Sequence, residues 1–138
     1  MDLKSLVLKM RQDQVLKGKR PAVIKCLKNI GEVYKGPSRF FILSYKENKL
    51  HFQGLTKVFN RYNSKLDFDL LINDITKVEI VKSRFQDFVY IYLKDNKFIL
   101  FIYYIDLKGT YESMVNARAI ITYLKSKQIE VVGEYYNE

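Results

Sequence analysis

The residue types that do chemistry are scarce in this chain. It holds one cysteine, Cys26, and one histidine, His51. Cys26 lies beside Lys25 and Lys28, whose charges would favour a thiolate, but a small buried hydrophobe accounts for it as well. His51 occupies a position that points away from Leu50 and Phe52, as a surface histidine does, and no motif joins it to Cys26 as a dyad. Structural zinc wants four Cys or His ligands, which these two cannot supply. Asp67 and Asp69 share one strand face and could be read as a metal or acid–base pair. Alternating charge on a solvated face is the simpler reading. The six glycines are scattered and build no phosphate-cradling loop. These residues predict no enzyme, no metal and no cofactor.

Charge says more. The net charge is +9, and residues 1–35 hold nine Lys/Arg against three Asp/Glu. A basic excess of this kind suits an anionic partner, although it also serves solubility. The candidate anion-binding residues are Lys17, Lys19, Arg20, Lys25, Lys28, Lys35, Arg39, Lys57, Arg61 and Lys65. The last three are interleaved with Phe59 and Tyr62, a mixture that suits bases and phosphates or a membrane interface.

The elements that must position these residues follow from periodicity. Leu3, Leu6, Val7 and Met10 recur at helical spacing, so residues 3–16 read as an amphipathic helix. Pro21 and Gly31 bracket Val23, Ile24, Leu27 and Ile30 in the manner of helix punctuation. Residues 22–29 could equally form a first strand. From Arg39 the period becomes two: 39–45 and 49–55 read as a hairpin, with a second hairpin returning through Leu66, Phe68 and Leu70. Thr76–Val81 reads as a further strand. Thr110 is a candidate N-cap after a turn at Asp106–Gly109, for a helix running to about Lys127. Met114, Ala117, Ile120, Ile121 and Leu124 form its apolar stripe, and Ile129–Val132 reads as a short strand.

The segment 88–105 reads as two strands around Asp95-Asn96. A two-residue turn there would pair Leu93 with Phe98, Ile91 with Leu100 and Val89 with Ile102, making an aliphatic face for the core. The other face would carry Phe88, Tyr90, Tyr92, Ile99, Phe101 and Tyr103. That set is too apolar to sit bare in water, so it is a candidate interface, covered by the 3–16 helix or by a second subunit.

Phe40-Phe41-Ile42-Leu43-Ser44-Tyr45 followed by Lys49-Leu50-His51-Phe52 resembles the strand–turn–strand of the pleckstrin-homology-like superfold, in particular GRAM and bacterial PH-type domains. Phe68 through Glu79 resembles the segment in which an aspartate–isoleucine pair joins two strands. The 88–105 hairpin with one closing helix is similar to the end of that fold. The resemblance implies a mainly β, α+β fold: a partly open antiparallel barrel of about seven strands capped by a C-terminal helix. The resemblance marks a PH/GRAM-like domain at 31–132, which leaves a basic helical extension at 1–30 and a tail at 133–138. It also implies an adaptor that binds phosphoinositides, proteins or itself, with Lys35 and Arg39 as the basic pair flanking the first turn.

No segment reaches the roughly 18–20 apolar residues of a membrane span, and Met1-Asp2-Leu3-Lys4 lacks a secretory layout. Together these features predict a cytoplasmic interaction module, peripheral to a membrane if attached to one, with a protein or an anionic surface as partner. The alternative is nucleic-acid binding, with 3–16 and 21–30 as two helices joined by Lys17-Gly18-Lys19-Arg20.

Overall fold

The segment between Pro21 and Gly31 is a strand, and the sheet is built around it. The structure, a computed structural model, describes residues 3–36, 39–56, 61–104 and 111–133. Helix α1 (Leu3–Gln12) leads into β1 (Lys19–Ile30), then β2 (Phe40–Lys46), β3 (Lys49–Gly54), β4 (Phe68–Leu71), β5 (Ile75–Lys82), β6 (Gln86–Leu93), β7 (Phe98–Tyr104), helix α2 (Tyr111–Ser126) and β8 (Glu130–Val132). The strands form one sheet in the order β4-β3-β2-β1-β7-β6-β5-β8. All neighbours are antiparallel except β5 and β8.

The coarse expectation of a mainly β, α+β fold with a C-terminal helix holds. The finer one does not: there are eight strands rather than seven, in an open mixed sheet whose edges are β4 and β8. Of the two readings of 21–30, the strand is the one observed and the helix is corrected. Ala22, Ile24 and Cys26 enter the main core, while Val23 enters a second apolar cluster on the opposite face. A strand buried on both faces loses the alternation that would announce it. Pro21 sits where the β1–β2 register shifts between Lys19 and Ala22, an irregularity that tolerates its missing N–H. A basic extension spanning 1–30 therefore shrinks to α1 and the link that follows it.

Helix α2 packs on the inner face. Its stripe of Met114, Ala117, Ile120, Ile121 and Leu124 is buried against Ile24, Phe41, Leu43, Val89, Ile91, Ile99 and Phe101. Two polar contacts dock it onto β1: Ser113 Oγ accepts from the Val23 N–H at 3.1 Å, and Asn116 Nδ2 donates to the Pro21 carbonyl at 2.9 Å. The expected Thr110 cap and the 106–109 turn lie outside the described residues. Helix α1 packs on the outer face, where Leu6 and Met10 meet Val23, Ile42 and Leu55.

The β6–β7 register also differs from expectation. Ile91 pairs with Ile99, Tyr90 with Leu100, Val89 with Phe101 and Phe88 with Ile102. The Leu93 N–H donates to the Lys97 carbonyl, leaving a three-residue loop in which Asp95 and Asn96 both have positive φ. One residue more than a two-residue turn slides β7 by one position and so turns every β7 side chain to the other face. Ile99, Phe101 and Tyr103 therefore belong to the core, and Leu100 and Ile102 face outwards.

This register makes a measurable prediction. Phe101→Ala empties a core site and should cost about 3–5 kcal/mol in urea unfolding. Leu100, buried on the outer face but outside both apolar clusters, should lose less on Leu100→Ala, about 2 kcal/mol. The reverse order would mean that β7 is misregistered.

Candidate functional site

The outer face of the sheet is divided. Among the described residues, α1 covers the β1–β3 side, and the β7–β6–β5 side carries no second layer. The strand pairings lay three rows of side chains across that open side. The first runs Lys25, Ile102, Phe88, Val81. The second runs Lys28, Leu100, Tyr90, Glu79. The third runs Ile30, Phe98, Tyr92, Lys77. Leu100 and Ile102 are only 5% exposed, a floor over which the half-buried rings of Phe88, Tyr90, Tyr92 and Phe98 spread.

The rings are organised. Tyr90 and Tyr92 stack with centroids 6.0 Å apart, and Phe98 tilts against both at 6.1 and 5.6 Å. Lys77 Nζ lies 4.8 Å from the Tyr92 ring centroid, and the Tyr92 hydroxyl donates to Glu79 at 3.1 Å. Burial first, and that bond second, push the Tyr92 hydroxyl above its ordinary pKa, so it remains neutral. On the far side Lys25 Nζ lies 5.6 Å from the Phe40 ring. The face is apolar and aromatic in the middle and cationic at both margins.

Of the six residues expected on the aromatic face, Phe88, Tyr90 and Tyr92 are there, and Ile99, Phe101 and Tyr103 are not. Their places are taken by Phe98, Leu100 and Ile102. Helix α1 does not cover this face; its stripe is spent on Val23, Ile42 and Leu55.

The basic candidates do not form one cluster. Lys25 and Lys28 border the aromatic face. Lys17 is engaged by Asp67 at 3.0 Å. Lys19 and Arg20 are exposed at the start of β1, Lys35 and Arg39 lie in the β1–β2 link, and Arg61 and Lys65 are exposed in the β3–β4 connection. Lys57 and Phe59 lie outside the described residues. Tyr62 has a structural partner, because its hydroxyl donates to Asp67.

That Asp67 is the clasp of the N-terminal link. It also accepts the Gly54 N–H at 2.9 Å, while Gln53 receives the Lys17 N–H at 3.0 Å and donates to the Val15 carbonyl at 2.8 Å. The hydrogen bond to Asp67, larger than the opposing burial, raises the Lys17 pKa. Gly18 permits the crossing: a Cβ there would stand 2.7 Å from both Ser44 Oγ and the Tyr45 carbonyl oxygen.

The candidate chemical residues are separated by the sheet. Cys26 faces the inner core, and His51 lies on the outer face, paired with Asp69 at 2.8 Å. Ser44, His51 and Asp69 do share a register row. The Ser44 hydroxyl is fully buried beneath the link, however, and has no hydrogen-bond partner among the described residues. Under α2, Asp87 is buried with the Tyr103 hydroxyl at 2.8 Å and Arg118 at 3.5 Å, a polar anchor that periodicity alone gave no sign of. Among the described residues no group of three His, Cys, Asp or Glu is placed to hold a metal ion, and no helix is long and apolar enough to cross a membrane.

Fold and surface together define an α+β domain that presents half of one sheet face. No family model and no curated protein sequence matches the chain. By structure it is similar to the hSac2 domain of the human phosphoinositide phosphatase Sac2, with a TM-score of 0.55 and 12% identity, over 98% of this chain and 90% of that one. This finding corrects two expectations. The structural likeness is to the hSac2 domain, and no family model matches the expected pleckstrin-homology-like, GRAM or bacterial PH-type domain. The exclusion of an enzyme also falls, because a fold of this kind occurs within a phosphatase.

Burial sets an alkaline limit on the fold. It pushes the Cys26 thiol from 9.0 up to about 12, against a smaller downward effect of its bond with Tyr34. Between those values the folded chain holds a proton that the unfolded chain has lost. Stability is therefore intact below pH 9.0 and falls as the pH climbs through that window. Urea midpoints should drop between about pH 8 and about pH 10 in the wild type and fall less steeply in Cys26→Ala. Parallel curves would show that the thiol does not carry the effect.

Proposed function

We propose that the chain is a surface-docking domain, and that the β7–β6–β5 side of its outer face binds an anionic lipid surface. The observation that carries this reading is the set of three rows that places Lys25, Lys28 and Lys77 at the margins of Phe88, Tyr90, Tyr92 and Phe98. Aromatic rings with polar tips suit the depth of lipid headgroups. Lysine stems can lie along apolar surface while their ammonium groups reach phosphates. A net charge of +9 supplies long-range attraction to such a surface. The structurally similar hSac2 domain belongs to a protein named as a phosphoinositide phosphatase, which is consistent with an anionic lipid as partner.

Nucleic-acid binding through a helix pair loses its basis. Residues 19–30 are a central strand, so no second helix follows the Lys17–Arg20 link.

Co-sedimentation tests the proposal. The wild type should bind vesicles of phosphatidylserine in phosphatidylcholine, bind pure phosphatidylcholine weakly, and release as salt rises. Tyr90→Glu and the pair Lys25→Glu with Lys28→Glu should each reduce binding by about tenfold or more while leaving the circular dichroism unchanged. Folded variants that bind like the wild type would overturn the assignment of this face.

A further inference from the structure

The β5–β6 turn breaks the usual chemistry of tight turns. Ser83, Arg84, Phe85 and Gln86 form it, closed by the Ser83 N–H and the Ser83 hydroxyl, both donating to the Gln86 carbonyl at 3.1 and 2.5 Å. Turn tips favour Gly, Asn, Asp, Ser and Pro, because such residues suit the backbone and water. This tip carries a phenylalanine that is 59% exposed, the most exposed of the large hydrophobic residues among those described. Arg84 stands beside it, its guanidinium carbon 5.1 Å from the ring centroid. Folding gains little from a ring left in water, so neither the turn nor the core explains Phe85.

Its location supplies a reason. The turn continues the end of the aromatic face: Val81, 48% exposed, and Phe88 are the last paired outer-face residues before the tip and belong to the same row as Lys25 and Ile102. We infer that the Arg84–Phe85 tip is a membrane wedge, with the Phe85 ring entering the acyl boundary of an anionic bilayer and Arg84 remaining among the phosphates. The inference rests on the reading of the outer face as a lipid-docking surface and adds to it the element that penetrates.

A bilayer is the occupant that fits. A hairpin tip is convex, and a fluid interface accepts a convex apolar group without a matching pocket. The neighbouring cations are those an anionic surface attracts, Arg84 at the tip with Lys25 and Lys28 along the adjoining face. Arginine and phenylalanine also divide the interface correctly, the charged group snorkelling while the ring is buried.

The chain contains no tryptophan, so Phe85→Trp makes a single fluorescent reporter at the tip. On phosphatidylserine-containing vesicles its emission should shift to the blue and be quenched by lipids brominated on their acyl chains. Leu71→Trp, on the opposite edge strand, should show neither change. Phe85→Ser should weaken vesicle binding about tenfold, the value of burying a ring of this size, with the fold retained because the site is exposed. If the chain co-sediments with vesicles while the Phe85→Trp emission stays unshifted and unquenched, the wedge is overturned and the docking face stands. If the wild type binds no anionic vesicle at any salt concentration, both fall together.

Discussion

Everything in this fold depends on one strand being buried from both sides. Strand β1 hydrogen-bonds to β2 along one edge and to β7 along the other. Its inward residues, Ala22, Ile24 and Cys26, give α2 a floor, and its outward Val23 gives α1 one. Two irregularities make this possible. The first, between Lys19 and Ala22, absorbs a proline and an Arg20 with positive φ. The second, between Cys26 and Lys28, lets Lys25 and Lys28 both lie opposite outward β7 residues. Burying apolar surface on both faces is the main stabilising term available to a sheet of this size.

The same strand explains why the outer face is uneven. Helix α1 is only ten residues long, and its link is clasped to β3 through Gln53 and Asp67. It is thereby committed to the β1–β3 side. The other side retains its large rings, held in place by stacking and by the Tyr92–Glu79 bond. The cations at its margins come from β1 and β5, strands on opposite sides of the β6–β7 pair. An aromatic centre with basic margins is thus a consequence of register.

Much of this was legible in the sequence, and the failures have physical causes. The hairpin at 39–55 and the apolar stripe of α2 were readable, since each buries one face and leaves one in water. Strand β1 was legible only as one of two readings, because two-sided burial turns alternation into a continuous apolar run, and Pro21 and Gly31 imitate helix ends. The aromatic face was half readable. Phe88, Tyr90 and Tyr92 alternate cleanly along β6, but the β7 residues opposite them depend on the length of a loop. A single extra loop residue exchanged Ile99, Phe101 and Tyr103 for Phe98, Leu100 and Ile102. Phe85 gives a weaker sequence signal than the basic–aromatic mixture at 57–65, where Tyr62 proves to be tied to Asp67. A phenylalanine within a four-residue turn was the signal available.

The central claim is that one half of one sheet face meets an anionic lipid surface. The most direct measurement is lysine acetylation read by mass spectrometry, with and without phosphatidylserine-containing vesicles. The account predicts that Lys25, Lys28 and Lys77 become protected while Lys9 on α1, Lys49 on β3 and Lys125 on α2, all exposed on other surfaces, keep their reactivity. Protection centred on Lys9 or Lys125, with Lys25, Lys28 and Lys77 unchanged, would contradict it.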